Sequence, residues 1–199
     1  MSQQPRTLGI LIFDDVEVLD FAGPLEVFSV TGRNLKSMPF HVFTVTPHPG
    51  SVLCQNGLSV NPRHTFLDCP TADILVIPGG WGTRKQLENA PMIEWIRAQS
   101  EHVEVLLSVC TGALLLGKAG LLDGLDATTH FAALDLLKTI APKANVFDDR
   151  RVLDNGKIVV AAGVSAGIDA SLHIVARLLG RAEAVETARY IEYDWKQPG

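Results

Sequence analysis

The stretch Val103-Glu104-Val105-Leu106-Leu107-Ser108-Val109-Cys110-Thr111-Gly112-Ala113-Leu114-Leu115-Leu116-Gly117-Lys118-Ala119 decides the fold. Residues 103–109 form a nearly unbroken apolar run, as a strand buried on both faces of a parallel sheet reads. Residues 111–119 are apolar with glycine interspersed, and they read as a helix. The chain must therefore turn sharply from strand to helix at Cys110. Such a turn lifts the thiol clear of the sheet, the arrangement of a nucleophile elbow. Gly112 has no Cβ to collide with the incoming strand, so the tight turn costs little. A helix start beside the sulfur supplies unpaired N–H groups and a positive dipole end, which predicts a thiol pKa lowered toward neutrality and attack as thiolate. The other role open to Cys110 is that of a small core hydrophobe.

Outward from this junction the same alternation continues. Residues 8–13, 40–45 and 74–77 are further apolar runs of strand character. Between them lie helical patterns at 24–30, with Pro24 at a first helical position, and at 91–99, preceded by Asn89. Residues 168–179 and 182–190 read as helices covering a sheet face. Asn56-Gly57 and Asn155-Gly156 each join short extended stretches, residues 52–55 with 58–61 and 151–153 with 157–160, and both predict hairpins with type I′ turns. No repeat, low-complexity segment or long linker marks a second domain, so residues 1–199 are read as one. The expected fold is a three-layer α/β sandwich with a mainly parallel sheet. Ligands in such folds bind beyond the carboxyl ends of strands, near the switch in strand order. Cys110, Gly79-Gly80 and the loop after Phe13 all fall at such ends.

Composition narrows the function classes. With 47% apolar residues among 199, the chain can bury one sizeable core. Seventeen basic against 22 acidic residues give a net charge of −5, which offers no basic face for nucleic acid. There is no apolar run of about 18 residues, and residues 1–7 are polar, so membrane spanning and secretion are not expected and the expected location is cytoplasmic. Cys54, Cys69 and Cys110 are odd in number and have no metal-ligand spacing, so they read as separate thiols, with no metal and no disulfide framework.

Several residues could carry chemistry around Cys110. Ile77-Pro78-Gly79-Gly80-Trp81-Gly82 ends a strand with backbone N–H groups open to a ligand, so the Gly80 N–H is a candidate half of an oxyanion hole; the other half would be the N–H of Thr111. The alternative is a plain glycine-rich turn. Asp20, in Val18-Leu19-Asp20-Phe21-Ala22-Gly23-Pro24, is either a helix-start carboxyl or an acid held in the cleft near the thiol. Two anions in contact repel strongly, so one of an Asp20–Cys110 pair should keep a proton. Glu26 is the competing carboxyl, ranked lower because Asp20 is expected to precede the helix. His130, closing Ala127-Thr128-Thr129-His130, is a candidate base for Cys110 or a structural hydrogen-bonding residue. Ser165 and Asp169 read as helix-start polar groups. Phe21, Trp81 and Phe131 suggest a hydrophobic pocket or core packing.

Taken together, Leu19-Asp20-Phe21-Ala22-Gly23-Pro24, Ile77-Pro78-Gly79-Gly80, Ser108-Val109-Cys110-Thr111-Gly112, Ala127-Thr128-Thr129-His130 and Ser165-Ala166-Gly167-Ile168-Asp169 resemble the ThiJ/PfpI superfamily over residues 8–190, and within it most closely the isocyanide (isonitrile) hydratases. The resemblance implies a flavodoxin-like, class I glutamine amidotransferase-like fold and a homodimer. It also implies that Cys110 matches the nucleophile, Asp20 its partner carboxyl and Thr111 the residue that lends an oxyanion N–H. The implied reaction is hydration of organic isocyanides to N-formamides through a covalent thioimidate, on a small-molecule substrate and with no cofactor. Cysteine hydrolase, amidase or glyoxalase chemistry occurs in the same superfamily, and a non-catalytic sensor of ligands or oxidants is a further alternative. Many AraC-type regulators carry a similar domain ahead of a helix-turn-helix region that would have no room before Gly199.

Overall fold

The computed structural model describes residues 4–33 and 38–195. Its centre is a seven-stranded sheet built from β1 (Arg6–Leu11), β2 (Phe40–Thr46), β5 (His64–Thr65), β6 (Ile74–Ile77), β7 (Val105–Val109), β10 (Val152–Asp154) and β11 (Ile158–Ala161). The order across the sheet is β10-β11-β7-β6-β1-β2-β5. All pairings are parallel except that of β10 with β11. The short pairs β3 (Val52–Leu53) with β4 (Ser59–Val60), and β8 (Asp126–Ala127) with β9 (Asn145–Val146), lie outside it. From β1 the chain goes first to β2 on one side and then returns to β6 on the other. The carboxyl ends of β1 and β6 are thus the switch point at which a ligand crevice opens.

Every residue of β6 and β7 is buried, which is why both read as continuous apolar runs rather than alternating ones. Two helical groups flank the sheet. One comprises α1 (Val18–Val30), α6 (Ala166–Leu179) and α7 (Arg181–Tyr190); the other comprises α2 (Thr83–Gln86), α3 (Ala90–His102), α4 (Gly112–Lys118) and α5 (Leu134–Ile140). The expected three-layer α/β sandwich is the fold observed. Leu8, Ile10, Phe28, Leu106, Leu107 and Ile174 are among the fully buried side chains of its continuous core. Each contributes roughly 1.5–3 kcal/mol by leaving water. The three cysteines are free thiols. No helix among the described residues is long and apolar enough to cross a membrane.

Two local expectations fail for physical reasons, and a third holds in shortened form. The first helix starts at Val18, not Pro24, so Pro24 lies inside it and Asp20 sits in its first turn. The helix gains an early start because the Glu17 N–H, just before it, is satisfied by the Gly79 carbonyl at 3.0 Å. At the first hairpin Asn56 and Gly57 do take positive φ, 62° and 85°, but the paired strands are only two residues long. At the second, Gly156 alone is left-handed at φ 84°, so there is no type I′ turn. Asn155 instead spends its side-chain amide on the backbone of Asp126, accepting from its N–H at 3.1 Å and donating to its carbonyl at 2.9 Å.

Candidate active site

Cys110 leaves β7 with φ 58°, in the left-handed region that a residue with a Cβ avoids at a cost of about 1–2 kcal/mol. Its backbone is pinned on both sides. The Cys110 N–H is shared between the carbonyls of Ala161 (3.2 Å) and Ala162 (2.8 Å), and its carbonyl accepts the buried Thr129 hydroxyl at 2.8 Å. Gly112 follows as the turn requires, since a Cβ there would stand 2.1 Å from the Ile77 carbonyl oxygen. The elbow read from the sequence is present.

Asp20 reaches the same spot from α1 and is fully buried. Its Oδ2 accepts the Gly79 N–H at 3.0 Å, while Oδ1 is buried without a hydrogen-bond partner of ordinary geometry. Burial pushes this carboxyl up to about 7; the Cys110 thiol and the Gly79 N–H pull it back, and the charge of Glu17 pushes it further up. Burial likewise pushes the Cys110 thiol up to about 12, with the Asp20 carboxylate adding to the rise and the N–H groups of Thr111 and Val164 opposing it. The expectation of a near-neutral thiol is therefore corrected. α4 is too short and the sulfur too enclosed, at 5% exposure, for the helix start to outweigh desolvation and a neighbouring anion.

Gly80 sits at φ 128°, and a Cβ there would stand 2.4 Å from the Asp15 carbonyl oxygen and from the Glu17 nitrogen, so only glycine fits. Its N–H donates to Thr111 Oγ1 at 2.9 Å, and its carbonyl accepts from Thr83 Oγ1 at 2.7 Å. The Gly80 amide is thus consumed by this hydroxyl cluster and is not a free oxyanion donor, a correction to the sequence reading. The Thr111 N–H faces the Cys110 sulfur instead.

Above the sulfur is a cavity of about 130 Å³ lined by Glu17, Gln55, Trp81, Arg84, His130, Val164 and others, as well as Cys110 and Thr111. Gln55, with its amide oriented to suit both neighbours, donates to Glu17 Oε2 at 2.6 Å and accepts from Trp81 Nε1 at 3.0 Å. The Arg84 guanidinium lies over the Trp81 ring, 4.7 Å from its centroid. His130 lines the cavity, yet its Nδ1 accepts the Ala132 N–H at 3.3 Å and its ring packs on Phe131. No hydrogen bond joins His130 to the sulfur among the described residues; the titratable side chain that meets Cys110 is Asp20. Of the three aromatic candidates Trp81 alone lines the cavity; Phe21 is in the core, and Phe131 projects into solvent, 79% exposed. Glu26 is exposed on the outer side of α1.

The structure also brings in residues that sequence reasoning missed. Val164 holds φ 52° and turns its N–H toward both Cys110 and Asp20. Nothing in Gly163-Val164-Ser165 signals that conformation. Glu17 was within reach, since it lies in the loop after Phe13; Gln55 and Arg84 come from a hairpin and a short helix whose approach is tertiary. Among the described residues no group of three His, Cys, Asp or Glu side chains is placed to hold a metal ion.

Comparison with known proteins identifies relatives of the whole domain. Residues 6–177 match the model of the DJ-1/PfpI family. The chain is 37% identical, over 185 residues covering 93% of it and 75% of the relative, to an isonitrile hydratase from Pseudomonas putida. It is 28% identical over 89% of its length to the HTH-type transcriptional regulator CdhR from Pseudomonas aeruginosa, of which it spans 52%. A ThiJ/PfpI family protein from Pseudomonas syringae superposes with a TM-score of 0.87 at 29% identity, over 99% of this chain and 78% of that one.

Proposed function

This chain belongs to the DJ-1/PfpI family, and on that premise we propose that it adds water to organic isocyanides, releasing N-formamides, through a covalent adduct on Cys110. The observation that carries the reading is the buried Asp20–Cys110 pair at the floor of a small cavity. Two groups with pKa values near 7 and 12 hold one proton between them over the neutral range. Moving that proton from sulfur to carboxylate changes no net charge, so the thiolate and the acid form together without either being ionised to solvent.

From that state the thiolate attacks the terminal carbon of R–N≡C while Asp20 returns its proton to the same carbon. The C–S bond forms and the product is a thioimidate, R–N=CH–S–Cys110. Water then adds to this carbon, giving one proton to nitrogen and leaving a hydroxyl. Collapse expels the Cys110 sulfur, the hydroxyl proton passes to the pair, and R–NH–CHO departs. The Thr111 and Val164 N–H groups stabilise charge on sulfur as it comes and goes.

The test is direct. Purified protein is incubated with a simple aryl isocyanide and formamide absorbance is followed; turnover that survives Cys110→Ala rejects the mechanism. The likeness to CdhR supports a second reading, a receptor that binds a small ligand in the same cavity without turning it over. Saturable binding of an isocyanide with no formamide favours it. Methylglyoxal converted to lactate, with isocyanides untouched, would instead favour glyoxalase chemistry at the same thiol.

A further inference from the structure

Arg151 stands outside the cavity, just before β10, and grips the turn that leads from β11 to α6. Its carbonyl accepts the Ala162 N–H at 2.9 Å. Its guanidinium reaches across, donating from Nε to Asp169 Oδ2 at 2.5 Å and from Nη2 to Ser165 Oγ at 3.0 Å. One arginine thus fastens residues 162–165 at both ends. The turn matters for the nucleophile in two ways. The Ala162 carbonyl receives the Cys110 N–H at 2.8 Å, and Val164 lines the cavity beside the sulfur. Val164 is also β-branched at φ 52°, a conformation that persists only where its surroundings over-determine it. The arginine adds a side-chain restraint to the backbone bonds by which the Gly163, Val164 and Ser165 carbonyls accept the N–H groups of Ala166, Gly167 and Ile168. Asp169 is 1% exposed, and its Oδ2 also accepts from Tyr193 at 3.1 Å, so the carboxylate that anchors the guanidinium is itself held still.

We infer that Arg151 is a positioning residue for the nucleophile: its carbonyl and guanidinium together hold the 162–165 turn so that the Val164 N–H faces the Cys110 sulfur. It touches no reacting atom and acts through Val164. An N–H aimed at the pair favours the charged forms of both Cys110 and Asp20. The other groups facing the pair are Glu17 and the Gly79 N–H, the Thr111 N–H, and Arg84 and His130 on the cavity wall. None of these lies on the turn, so none replaces what the turn supplies. The inference concerns the pair, whatever electrophile it meets, and stands apart from the isocyanide reading.

The test is site-resolved alkylation by iodoacetamide, quantified by mass spectrometry on the peptide carrying Cys110, from about pH 6 to about pH 10, with Cys69 as internal reference. Arg151→Met keeps the aliphatic stem; alkylation of Cys110 is expected to slow about tenfold, the size of one lost hydrogen bond to an ionised group, and its rise to move up by roughly half a pH unit or more. Cys69 should be unaffected. Arg151→Lys should behave like Arg151→Met, because one ammonium cannot reproduce the fork to two acceptors. Ser165→Ala leaves the Asp169 ion pair intact, is expected to slow Cys110 about threefold, and decides the matter if Arg151→Met fails to fold. Tyr193→Phe loses a contact to Asp169 and Arg151 but leaves the guanidinium on Asp169 and Ser165, and should shift the profile less than Arg151→Met. A folded Arg151→Met whose Cys110 profile overlays that of the parent overturns the inference. So does an unshifted Ser165→Ala, or a Tyr193→Phe that shifts as far as Arg151→Met.

Discussion

Asp20 and Cys110 face one another across the switch in strand order, both buried; the carboxylate raises the pKa of the thiol, while the thiol, hydrogen-bonded to the carboxylate, draws that of the carboxyl back down. The first group of the pair to ionise does so near pH 7 and the second near pH 12. Between those values the pair carries one negative charge and one mobile proton. That singly charged state is the one the chemistry uses.

The kcat/KM for an aryl isocyanide should therefore rise with pH through about 7 and then stay level across the alkaline range accessible to experiment. Asp20→Asn cannot hold or return the proton and should lose about a hundredfold or more. An isocyanide rate independent of pH between about 5 and 9 in the parent protein sinks this assignment of the acid.

The same carboxyl predicts a stability slope. Its pKa is about 7 folded and near the ordinary carboxyl value of 3.8 unfolded, so the folded chain keeps a proton that the unfolded chain releases between those values. Stability is then fully present below the unfolded value, falls as pH climbs toward about 7, and levels off above it. The difference sets a ceiling of roughly 4 kcal/mol. Asp20→Asn should remove this slope and melt above the parent at pH 8; thermal denaturation across the acidic range checks both.

Thr111 accepts the buried Gly80 N–H, so Thr111→Val strands that donor and should cost about 1–3 kcal/mol in urea denaturation. Thr111→Ser keeps the oxygen and should recover most of the loss. Equal stability of the valine and serine variants would show that the hydroxyl cluster does not hold the Gly80 peptide.

Trp81 is 69% exposed, so Trp81→Ala should change stability by less than about 0.5 kcal/mol. It removes one wall of the cavity, however, and is expected to raise KM for an aryl isocyanide roughly tenfold, the worth of one aromatic contact with its buried area. The rise near pH 7 should stay where it is. A shifted rise would mean that Trp81 acts on the pair rather than on the substrate.

What could be read beforehand divides along the range of the forces. β7, Cys110 and Gly112 were legible because a fully buried strand and a tight turn leave local marks: an unbroken apolar run, then a residue without Cβ. Asp20 was legible as a carboxyl among apolar neighbours, although its place inside α1 was not, because the early helix start depends on the bond from the Glu17 N–H to the distant Gly79 carbonyl. The direction of the thiol pKa was misread for a related reason. A helix start is visible in sequence, whereas the enclosure that outweighs it is made by Asp20 on α1, Thr111 after β7 and Val164 after β11, which converge only in the fold. Asn155 misled because its side chain had a distant backbone to serve.

The chain from Glu17 through Gln55 to Trp81 also gives the molecule a built-in optical gauge. Of the tryptophans, Trp95 is stacked on Phe66 with centroids 4.0 Å apart, and neither it nor Trp195 borders the cavity. Only the indole of Trp81 stands where a guest would displace water and disturb a hydrogen-bonded ring nitrogen. Filling of the cavity should thus be legible in emission from this one side chain, against a constant background from the other two.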